Sequence, residues 1–329
     1  MFSWNRLQTI DGRTGIRVDS DLRPFLLRFR WYIIDDRLVI DRTHGGICLV
    51  LVSGLEIVRP MSKTRIAMNG AAGRMGKRIV ALGMADDEIE VSAALEFSQH
   101  ADIGKDAGLI AGAEQLDVLV SDHLECEVDA VIDFSVPASS QNILETCLAA
   151  NLPLVVATTG LTAEQQQQIH ESARTIPIVW APNMSLAVNL TMNLAVTAAR
   201  ALKDYSGGVD VEIIERHHRF KEDAPSGTAL KFGEQIAREM GQTRHTHGRQ
   251  GQTGQRPADE IGYHALRVAD NPGEHTIIFG LMGETVEVTV RATNRDAYAL
   301  GALQAAKFIA RQNPGLYGMN DVLGLPVVD

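Results

Sequence analysis

The sequence predicts an α/β protein whose doubly wound parallel sheet carries an inserted α+β domain with a mixed sheet. Three observations predict this fold class. Short apolar strands alternate with helical segments between residues 64 and 183, and a glycine-rich turn joins the first strand to its helix. Three consecutive strand patterns then occur between residues 261 and 292. Alternating strands and helices are typical of a parallel sheet, whereas consecutive strands favour a second, mixed sheet.

Composition and charge bound the class of protein. Of the 329 residues, 45% are hydrophobic and 22% are charged, which favours a globular chain of two domains. The formal net charge of −10 argues against a nucleic-acid partner or an anionic membrane, because phosphate binding needs a basic face. The apolar stretch at residues 47–58 is interrupted and shorter than a membrane span, so we expect neither a signal peptide nor a transmembrane helix.

The cysteines indicate a reducing compartment. Cys48, Cys126 and Cys147 are widely spaced, so they give neither the ligand spacing of a zinc site nor a disulfide framework. We therefore expect ordinary thiols and a cytoplasmic protein.

Residues 1–60 differ from the rest of the chain. Their basic residues are all arginine, and no helical or strand period is sustained, whereas lysine and regular patterns appear after Met61. We expect Met61 to be the natural start and residues 1–60 to be an extension outside the fold. A transit peptide is the alternative, but six aspartates are too many acids for one.

The first strand, Thr64–Asn69, leads into a glycine turn and then a helix. The glycines of such a turn let the backbone approach a pyrophosphate, and the helix N-terminus offers N–H groups to the anion, as in Rossmann-like domains. Glycine turns also serve plain packing, so the motif alone is weak. The candidate cofactor residues of the turn are Gly70, Ala71, Ala72, Gly73, Arg74 and Met75.

The next strands supply further cofactor candidates. Ile89–Leu95 ends at Glu96, at the spacing where a carboxylate accepts hydrogen bonds from the adenosine ribose, although a solvated acid is the plain alternative. Strands at 129–134, 152–158 and 176–181 alternate with helices that begin near Pro137 and Thr162. Ligands bind at the carboxyl ends of such strands. This places around the nicotinamide Phe134, Ser135, Ala157, Thr158, Thr159, Ala181, Pro182, Asn183 and Met184.

The most informative segment, residues 216–228, follows a helix at 185–203 and a strand at 209–215. Its basic side chains form a local anion-attracting site in an acidic protein, and Ser226 opens the next helix as its cap. His217 and His218 are adjacent on extended chain, so we expect their side chains to point to opposite sides and predict that they share no metal ion. One of them can donate a proton, and Lys221 supplies a positive charge or a second proton. A basic solvated loop is the alternative.

His245 and His247 form a second histidine pair. They lie in the polar run 241–255 without a third ligand at useful spacing, so we interpret the segment as a loop and predict no metal site in the chain.

The motifs together resemble the dihydrodipicolinate reductase family over essentially all of residues 61–329. The resemblance rests on residues 70–76 (GAAGRMG), 157–160 (ATTG), 181–185 (APNMS) and above all 215–228 (ERHHRFKEDAPSGT). Residues 249–256 and 273–276 look like later motifs of the family in the same order.

The resemblance implies a function and roles for residues. It implies NAD(P)H-dependent reduction of (2S,4S)-4-hydroxy-tetrahydrodipicolinate to tetrahydrodipicolinate with loss of water, in the diaminopimelate route to lysine. His217 would be the proton donor or acceptor, and Lys221 the second acid-base or carboxylate-holding group. His218, Ser226, Gly227 and Thr228 would contact the substrate, and the second domain would build a homotetramer.

Four positions depart from the family pattern. The family often has glycine at 157, phenylalanine at 184, histidine at 220 and a basic residue at 97, where this chain has Ala157, Met184, Phe220 and Phe97. Phe97 matters most, because it removes a cationic partner for the 2′-phosphate of NADP while Glu96 repels that phosphate. We therefore predict a preference for NADH. NADPH could still bind through Arg74, Lys77 or Arg78.

The sequence thus predicts a dinucleotide-binding domain at 61–183, a substrate-binding and oligomerisation domain at 184–295, and a C-terminal helix and tail at 296–329 that return to the first domain. Another Rossmann oxidoreductase, such as a homoserine-dehydrogenase-like enzyme, would share the glycine turn but not residues 217–228. A non-catalytic NAD-binding sensor would have lost chemistry, which is disfavoured because His217 and Lys221 are both present.

Overall fold

The computed structural model describes residues 30–34, 37–42, 46–48 and 63–325. The chain divides into two units, residues 1–62 and residues 63–329. The described part of the first unit is an antiparallel sheet of β1 (Arg30–Ile34), β2 (Arg37–Arg42) and β3 (Gly46–Cys48). We predicted no strand here, because residues 1–60 sustain no strand period in the sequence.

The second unit contains all the other described elements. In chain order they are β4 (Thr64–Asn69), α1 (Arg74–Met84), β5 (Ile89–Leu95), α2 (Ala107–Ile110), β6 (Val120–Ser121), β7 (Ala130–Asp133), α3 (Pro137–Ala150), β8 (Leu154–Val156), α4 (Ala163–Ser172), β9 (Pro177–Trp180), α5 (Leu186–Leu202), β10 (Asp210–His217), α6 (Gly227–Met240), β11 (Arg244–His247), β12 (Glu260–Arg267), β13 (Glu274–Leu281), β14 (Glu284–Arg291), α7 (Asp296–Ile309), β15 (Gly315–Tyr317) and α8 (Met319–Val322).

A seven-stranded parallel sheet forms the first layer, in the order β15-β9-β8-β7-β4-β5-β6. The chain runs outward from β4 through β5 to β6, then returns to the other side of β4 with β7. The order therefore reverses between β4 and β7, which is the position where ligands bind in open α/β sheets.

Helices cover both faces of this sheet. One core packs α1 and α7 on the sheet, with fully buried Ile66, Ile79, Ile132 and Leu303 among its residues. The other core packs α3 and α4 on the opposite face. Burial on both faces explains why β7, β8 and β9 consist mainly of apolar residues.

A five-stranded mixed sheet forms the other layer, in the order β11-β12-β10-β13-β14. Strand β10 pairs parallel with β12 and antiparallel with β13. Helices α5 and α6 pack on one face, over a core that includes Phe232, Tyr263 and Phe279. The two sheets together confirm the predicted fold class.

The C-terminal segment completes the first sheet. Helix α7 is buried in one of its cores, and β15 pairs with the edge strand β9. The sequence predicted that the helix and tail return to this sheet, but not that the tail adds a strand.

The interpretation of residues 245–247 as a loop was wrong, because β11 extends along the edge of the mixed sheet beside β12. His245 Nδ1 lies 2.8 Å from the Tyr263 hydroxyl, and His247 stacks on the Tyr263 ring at a centroid distance of 5.2 Å. Edge strands tolerate polar residues on exposed positions, so composition alone did not reveal this one.

The described part of the chain contains neither a membrane-spanning helix nor a cluster of metal ligands. No helix among these residues is long and apolar enough to cross a membrane. No group of three or more His, Cys, Asp or Glu residues there is arranged to hold a metal ion.

Candidate active site

The glycine turn lies where the strand order reverses. Gly70 has a φ of +83°, and a Cβ on it would lie 2.8 Å from the Phe134 carbonyl oxygen at the end of β7. Its position therefore requires glycine for both the backbone conformation and the close approach.

The first turn of α1 remains open to an anion. Gly73 is the N-cap of α1, no side chain caps the helix, and no acidic residue lies in its first turn. A Cβ on Gly76 would lie 2.1 Å from the Gly70 oxygen, so the helix starts tightly against the turn. This arrangement fits a pyrophosphate, because backbone N–H groups and the positive end of the helix dipole face the same place.

Glu96 lies beside this turn at the end of β5. Its Oε2 accepts a hydrogen bond from the Ala72 N–H at 3.2 Å, and its Oε1 accepts one from the Phe97 N–H at 3.1 Å. The carboxylate is thus held at the position that suits ribose hydroxyls. Phe97 is 60% exposed and presents no charge there.

A buried carboxylate beneath the site was missed in the sequence. Asp133 is fully buried at the end of β7 and accepts hydrogen bonds from Asn69 Nδ2 at 2.8 Å, Ser135 Oγ at 2.5 Å and Thr158 Oγ1 at 2.8 Å. Thr158 Oγ1 in turn accepts from the Ser135 N–H. These contacts join the ends of β4, β7 and β8, so the Thr158 hydroxyl is engaged inside the protein.

Residues 181–184 link the two sheets of this unit. Asn183 Nδ2 lies 3.4 Å from Thr228 Oγ1 in the first turn of α6, and Asn183 Oδ1 accepts the Ser185 N–H at 2.9 Å. Predicted cofactor and substrate residues therefore meet at this contact. Met184 is buried, and a Cβ on Gly301 of α7 would lie only 1.7 Å from its carbonyl oxygen.

The second half of the site is built at the end of β10. Side chains alternate along this strand, so Glu215 and His217 lie on the same buried face. His217 Nδ1 is 2.5 Å from Glu215 Oε2. Pairing places Arg267 of β12 opposite His217 and His275 of β13 opposite Glu215. We call Glu215, His217, Arg267 and His275 the β10-end cluster.

Hydrogen bonds satisfy the buried carboxylate of this cluster. Arg267 donates to both oxygens of Glu215 at 2.9 Å, and the Ser226 N–H donates to Oε1 at 3.2 Å. Ser226 Oγ caps α6 through the Ala229 N–H and lies 3.0 Å from His275 Nε2. The N–H and hydroxyl of Ser226 are therefore both engaged within the protein.

Burial sets the protonation of the two histidines. Desolvation lowers the pKa of His217 below its ordinary value, and Lys221 and Arg267 add to this effect while Glu215 opposes it. Desolvation lowers the pKa of His275 to about 4, so that side chain is neutral at pH 7. Burial alone would raise the pKa of Glu215, but hydrogen bonds from Arg267 and His217 outweigh it and hold that pKa below its ordinary value.

The remaining predicted residues lie on the loop after β10. Lys221 Nζ pairs with Asp223 Oδ1 at 2.8 Å, and the Lys221 N–H donates to the His218 carbonyl. His218 Nδ1 is buried without a hydrogen-bond partner, and its ring lies 6.3 Å from that of Phe220. Gly227 is exposed and Thr228 half-buried at the start of α6.

The sequence analysis assigned no role to four residues of the site: Asp133, Glu215, Arg267 and His275. Glu215 could have been found, because it lies two residues before His217 on a strand and must share its face. Arg267 and His275 reach the cluster through strand pairing, and the register of that pairing is not readable from one sequence.

Comparisons with known proteins agree with this architecture. A family model described as "Dihydrodipicolinate reductase, N-terminus" matches residues 64–184, and one described as "Dihydrodipicolinate reductase, C-terminus" matches residues 187–323.

Named relatives match with high coverage. The 4-hydroxy-tetrahydrodipicolinate reductase of Rhodopirellula baltica is 54% identical over 79% of this chain and 96% of its own length, and that of Alkalilimnicola ehrlichii is 45% identical over 80% and 99%. The solved structure of dipicolinate-bound dihydrodipicolinate reductase from Paenisporosarcina sp. TG-14 is 28% identical, covers 79% of this chain and 99% of its own, and has a TM-score of 0.65. The chain therefore belongs to the dihydrodipicolinate reductase family.

Proposed function

We propose that this protein is a 4-hydroxy-tetrahydrodipicolinate reductase, which adds a hydride and a proton to its cyclic dicarboxylate substrate and releases water. The observation that carries the proposal is the His217–Glu215 pair at the end of β10, in a chain 54% identical to a reductase of that name. The dipicolinate-bound relative supports a small cyclic dicarboxylate as the substrate.

The residues of the site divide the work of the reaction. Bound NAD(P)H supplies the hydride. The glycine turn and the first turn of α1 hold its pyrophosphate, and Glu96 holds its ribose. His217 donates a proton from Nε2, because its Nδ1 is taken by Glu215. A Cβ on Gly273 would lie 3.1 Å from Nε2, so the absence of a side chain there leaves that nitrogen uncovered.

Lys221 and the start of α6 hold the substrate carboxylates. Lys221 carries a positive charge on the loop after β10, and its ion pair with Asp223 is partly exposed, so a substrate carboxylate can replace the aspartate. The N–H groups of Gly227 and Thr228 lie in the first turn of α6, where the helix dipole favours an anion. Ser226 contributes by capping this turn, since its polar groups are engaged.

NADH is the preferred cofactor in this proposal. Of the three cations that could bind a 2′-phosphate, Arg78 is engaged by both oxygens of Asp296 at 2.8 and 2.7 Å, and Lys77 lies 3.9 Å from Asp102. Arg74 is exposed on the first turn of α1, and NADPH can bind more weakly through a contact of its 2′-phosphate with this side chain. The Glu96 carboxylate repels the added phosphate.

The proposal extends to assembly and location. Residues 61–183 bind the dinucleotide, and residues 296–329 complete this first domain. Residues 184–295 form the second domain, which binds substrate and builds a homotetramer. Residues 1–60 belong to neither domain. Free Cys126 and Cys147 fit a cytoplasmic enzyme, since oxidising compartments favour disulfides. Light scattering on the purified full chain measures the oligomeric state, and a monomer would contradict the tetramer.

A coupled assay tests the function. Substrate is generated in place from pyruvate and aspartate semialdehyde by a synthase, and oxidation of NADH or NADPH by the full chain is followed by absorbance. We expect substrate-dependent oxidation, faster with NADH. His217→Gln should lose turnover and keep NADH binding. A folded protein that binds NADH but oxidises neither cofactor would instead indicate a non-catalytic NAD-binding sensor.

A further inference from the structure

We propose that Glu215 and Arg267 are positioning residues that set the tautomer of His217 and tie it to the loop carrying Lys221. The inference rests on the proposed function, because it concerns how the proton donor of that reaction is held. Neither residue needs to touch the substrate.

Glu215 fixes which nitrogen of His217 carries the proton. An ionised carboxylate only accepts hydrogen bonds, so the 2.5 Å contact requires Nδ1 to be the donor. Neutral His217 is thereby held with its lone pair on Nε2, and protonation there produces the acid. The carboxylate also stabilises the imidazolium by charge.

Arg267 joins His217 to the Lys221 loop. Its Nη1 and Nη2 donate to the two oxygens of Glu215 at 2.9 Å. The same guanidinium donates from Nε to the Lys221 carbonyl at 3.3 Å and from Nη2 to the Asp223 carbonyl at 2.5 Å. One planar group thus holds the carboxylate behind His217 and the backbone on both sides of residue 222. A lysine cannot reproduce this fork, because its ammonium is a single point donor.

Only an ionised carboxylate at position 215 can accept all the hydrogen bonds that its neighbours donate. The carboxylate receives donors from His217, Arg267 and Ser226, and it is 1% exposed. An amide in its place has one accepting oxygen and one donating NH₂ group. In a Glu215→Gln variant the NH₂ group must therefore face Arg267, which cannot accept, whichever way the amide is turned. On one side it also faces the Ser226 N–H, which cannot accept, and on the other side it faces His217 Nδ1, which then has to give up its proton.

The experiment measures steady-state kinetics of the full chain with Glu215→Gln and Arg267→Lys across pH. Matched controls are Glu239→Gln and Arg200→Lys, because Arg200 and Glu239 form a two-point ion pair between α5 and α6 at 2.8 and 3.1 Å, away from the β10-end cluster. Unfolding temperature and the NADH dissociation constant are measured for every variant.

The two variants should differ in what they lose. Glu215→Gln should lower kcat about 100-fold or more, with the substrate KM within about threefold, because the tautomer is disturbed while the Lys221 loop stays tied. As the pH rises, its kcat/KM should also begin to fall at a lower pH than that of the wild type, because the charge of Glu215 that favours the imidazolium of His217 is gone. Arg267→Lys should lower kcat and raise the substrate KM, each about tenfold. All four variants should keep NADH affinity.

Two results would overturn the proposal. One is a Glu215→Gln enzyme with wild-type kcat and an unchanged pH profile. The other is a loss of kcat in Glu239→Gln and Arg200→Lys as large as the loss in Glu215→Gln and Arg267→Lys. If Glu215→Gln does not fold, the ¹⁵N chemical shifts of His217 in the wild-type protein test the proposal instead. They should show the neutral tautomer with its proton on Nδ1, and a neutral Nε2–H tautomer would contradict it. Failure of the proposed function is distinct, because the wild type itself would then show no turnover.

Discussion

At the scale of single residues, the site depends on partners that the motif alone does not reveal. His217 and Lys221 stand out in the sequence as residue types that move protons near neutral pH. Their behaviour is set by Glu215, Arg267 and His275, which approach from the same strand and from two neighbouring strands. The candidate residues were therefore predictable from sequence, while the hydrogen bonds that tune them required the register of β10, β12 and β13.

His275 makes stability depend on pH. Its pKa is about 4 when folded against 6.5 for the free side chain, so between these values the unfolded chain binds more protons. The contribution is therefore present above pH 6.5 and is lost as the pH falls toward 4, by about 3 kcal/mol at most.

Urea denaturation between pH 7 and pH 4 measures this loss for the full chain and for His275→Asn. The variant should lose less stability on acidification than the wild type. His170→Asn, at an exposed position, is the matched control and should follow the wild type. Equal acid sensitivity of all three proteins would show that His275 does not titrate as described.

Phe97 should control the choice of cofactor. Phe97→Arg introduces a cation next to Glu96, and a hydrogen bond to a charged phosphate contributes about 1.5–3 kcal/mol. The ratio of kcat/KM for NADPH over NADH should therefore rise about tenfold or more. Met282→Arg is the control, because Met282 is also exposed but lies in the turn between β13 and β14 of the other sheet. A similar rise in the control would mean that net charge, and not position 97, decides.

At the scale of elements, the sequence predicted β4, β5, β7, β8 and β9 of the parallel sheet, because each is a run of mainly apolar residues between helical segments. Thr64–Asn69 and Ile89–Leu95 have the predicted bounds. Thr162, Ser185 and Ser226 each cap the helix that begins at the next residue. The two-residue β6, the three-residue β15 and the polar edge strand β11 were missed. Such short or exposed strands are specified by pairing with a neighbour and carry little pattern of their own.

The junction of β4 and α1 should not tolerate a side chain at position 76. In Gly76→Ala the new Cβ would lie 2.1 Å from the Gly70 oxygen and 2.7 Å from the Ala71 Cα, so the turn must shift. We expect destabilisation of about 1–3 kcal/mol and at least about tenfold weaker NADH binding. Calorimetry and fluorescence titration measure the two effects.

Gly280→Ala is the control for this substitution. Its Cβ would meet Asp210 at 3.6 Å, an ordinary contact, on a strand of the other sheet. It should bind NADH like the wild type. An unchanged NADH affinity in Gly76→Ala would mean that the turn does not hold the cofactor.

At the scale of the whole molecule, the site needs both sheets of residues 63–329. The parallel sheet supplies the glycine turn and the Asp133 network, the mixed sheet supplies the β10-end cluster, and Asn183 meets Thr228 between them. The family models match residues 64–184 and 187–323, so the similarity to the family falls within this unit.

Removal of residues 1–62 should leave the enzyme intact. The named relatives are matched over 96–99% of their own length while covering about four fifths of this chain. We expect a chain that starts at Lys63 to keep its unfolding temperature and its turnover within about twofold. A large loss of either would show that the extension takes part in the fold or the site.

The central claim is that this chain catalyses hydride transfer from NADH to its cyclic dicarboxylate substrate, with His217 as the proton donor. The most direct test supplies NADH deuterated at the transferable position to the full chain and analyses the product by mass spectrometry. The account predicts a product that carries the deuterium, formed by the wild type and formed about 100-fold or more slowly by His217→Gln. A product without the label, or equal rates for both proteins, would contradict it.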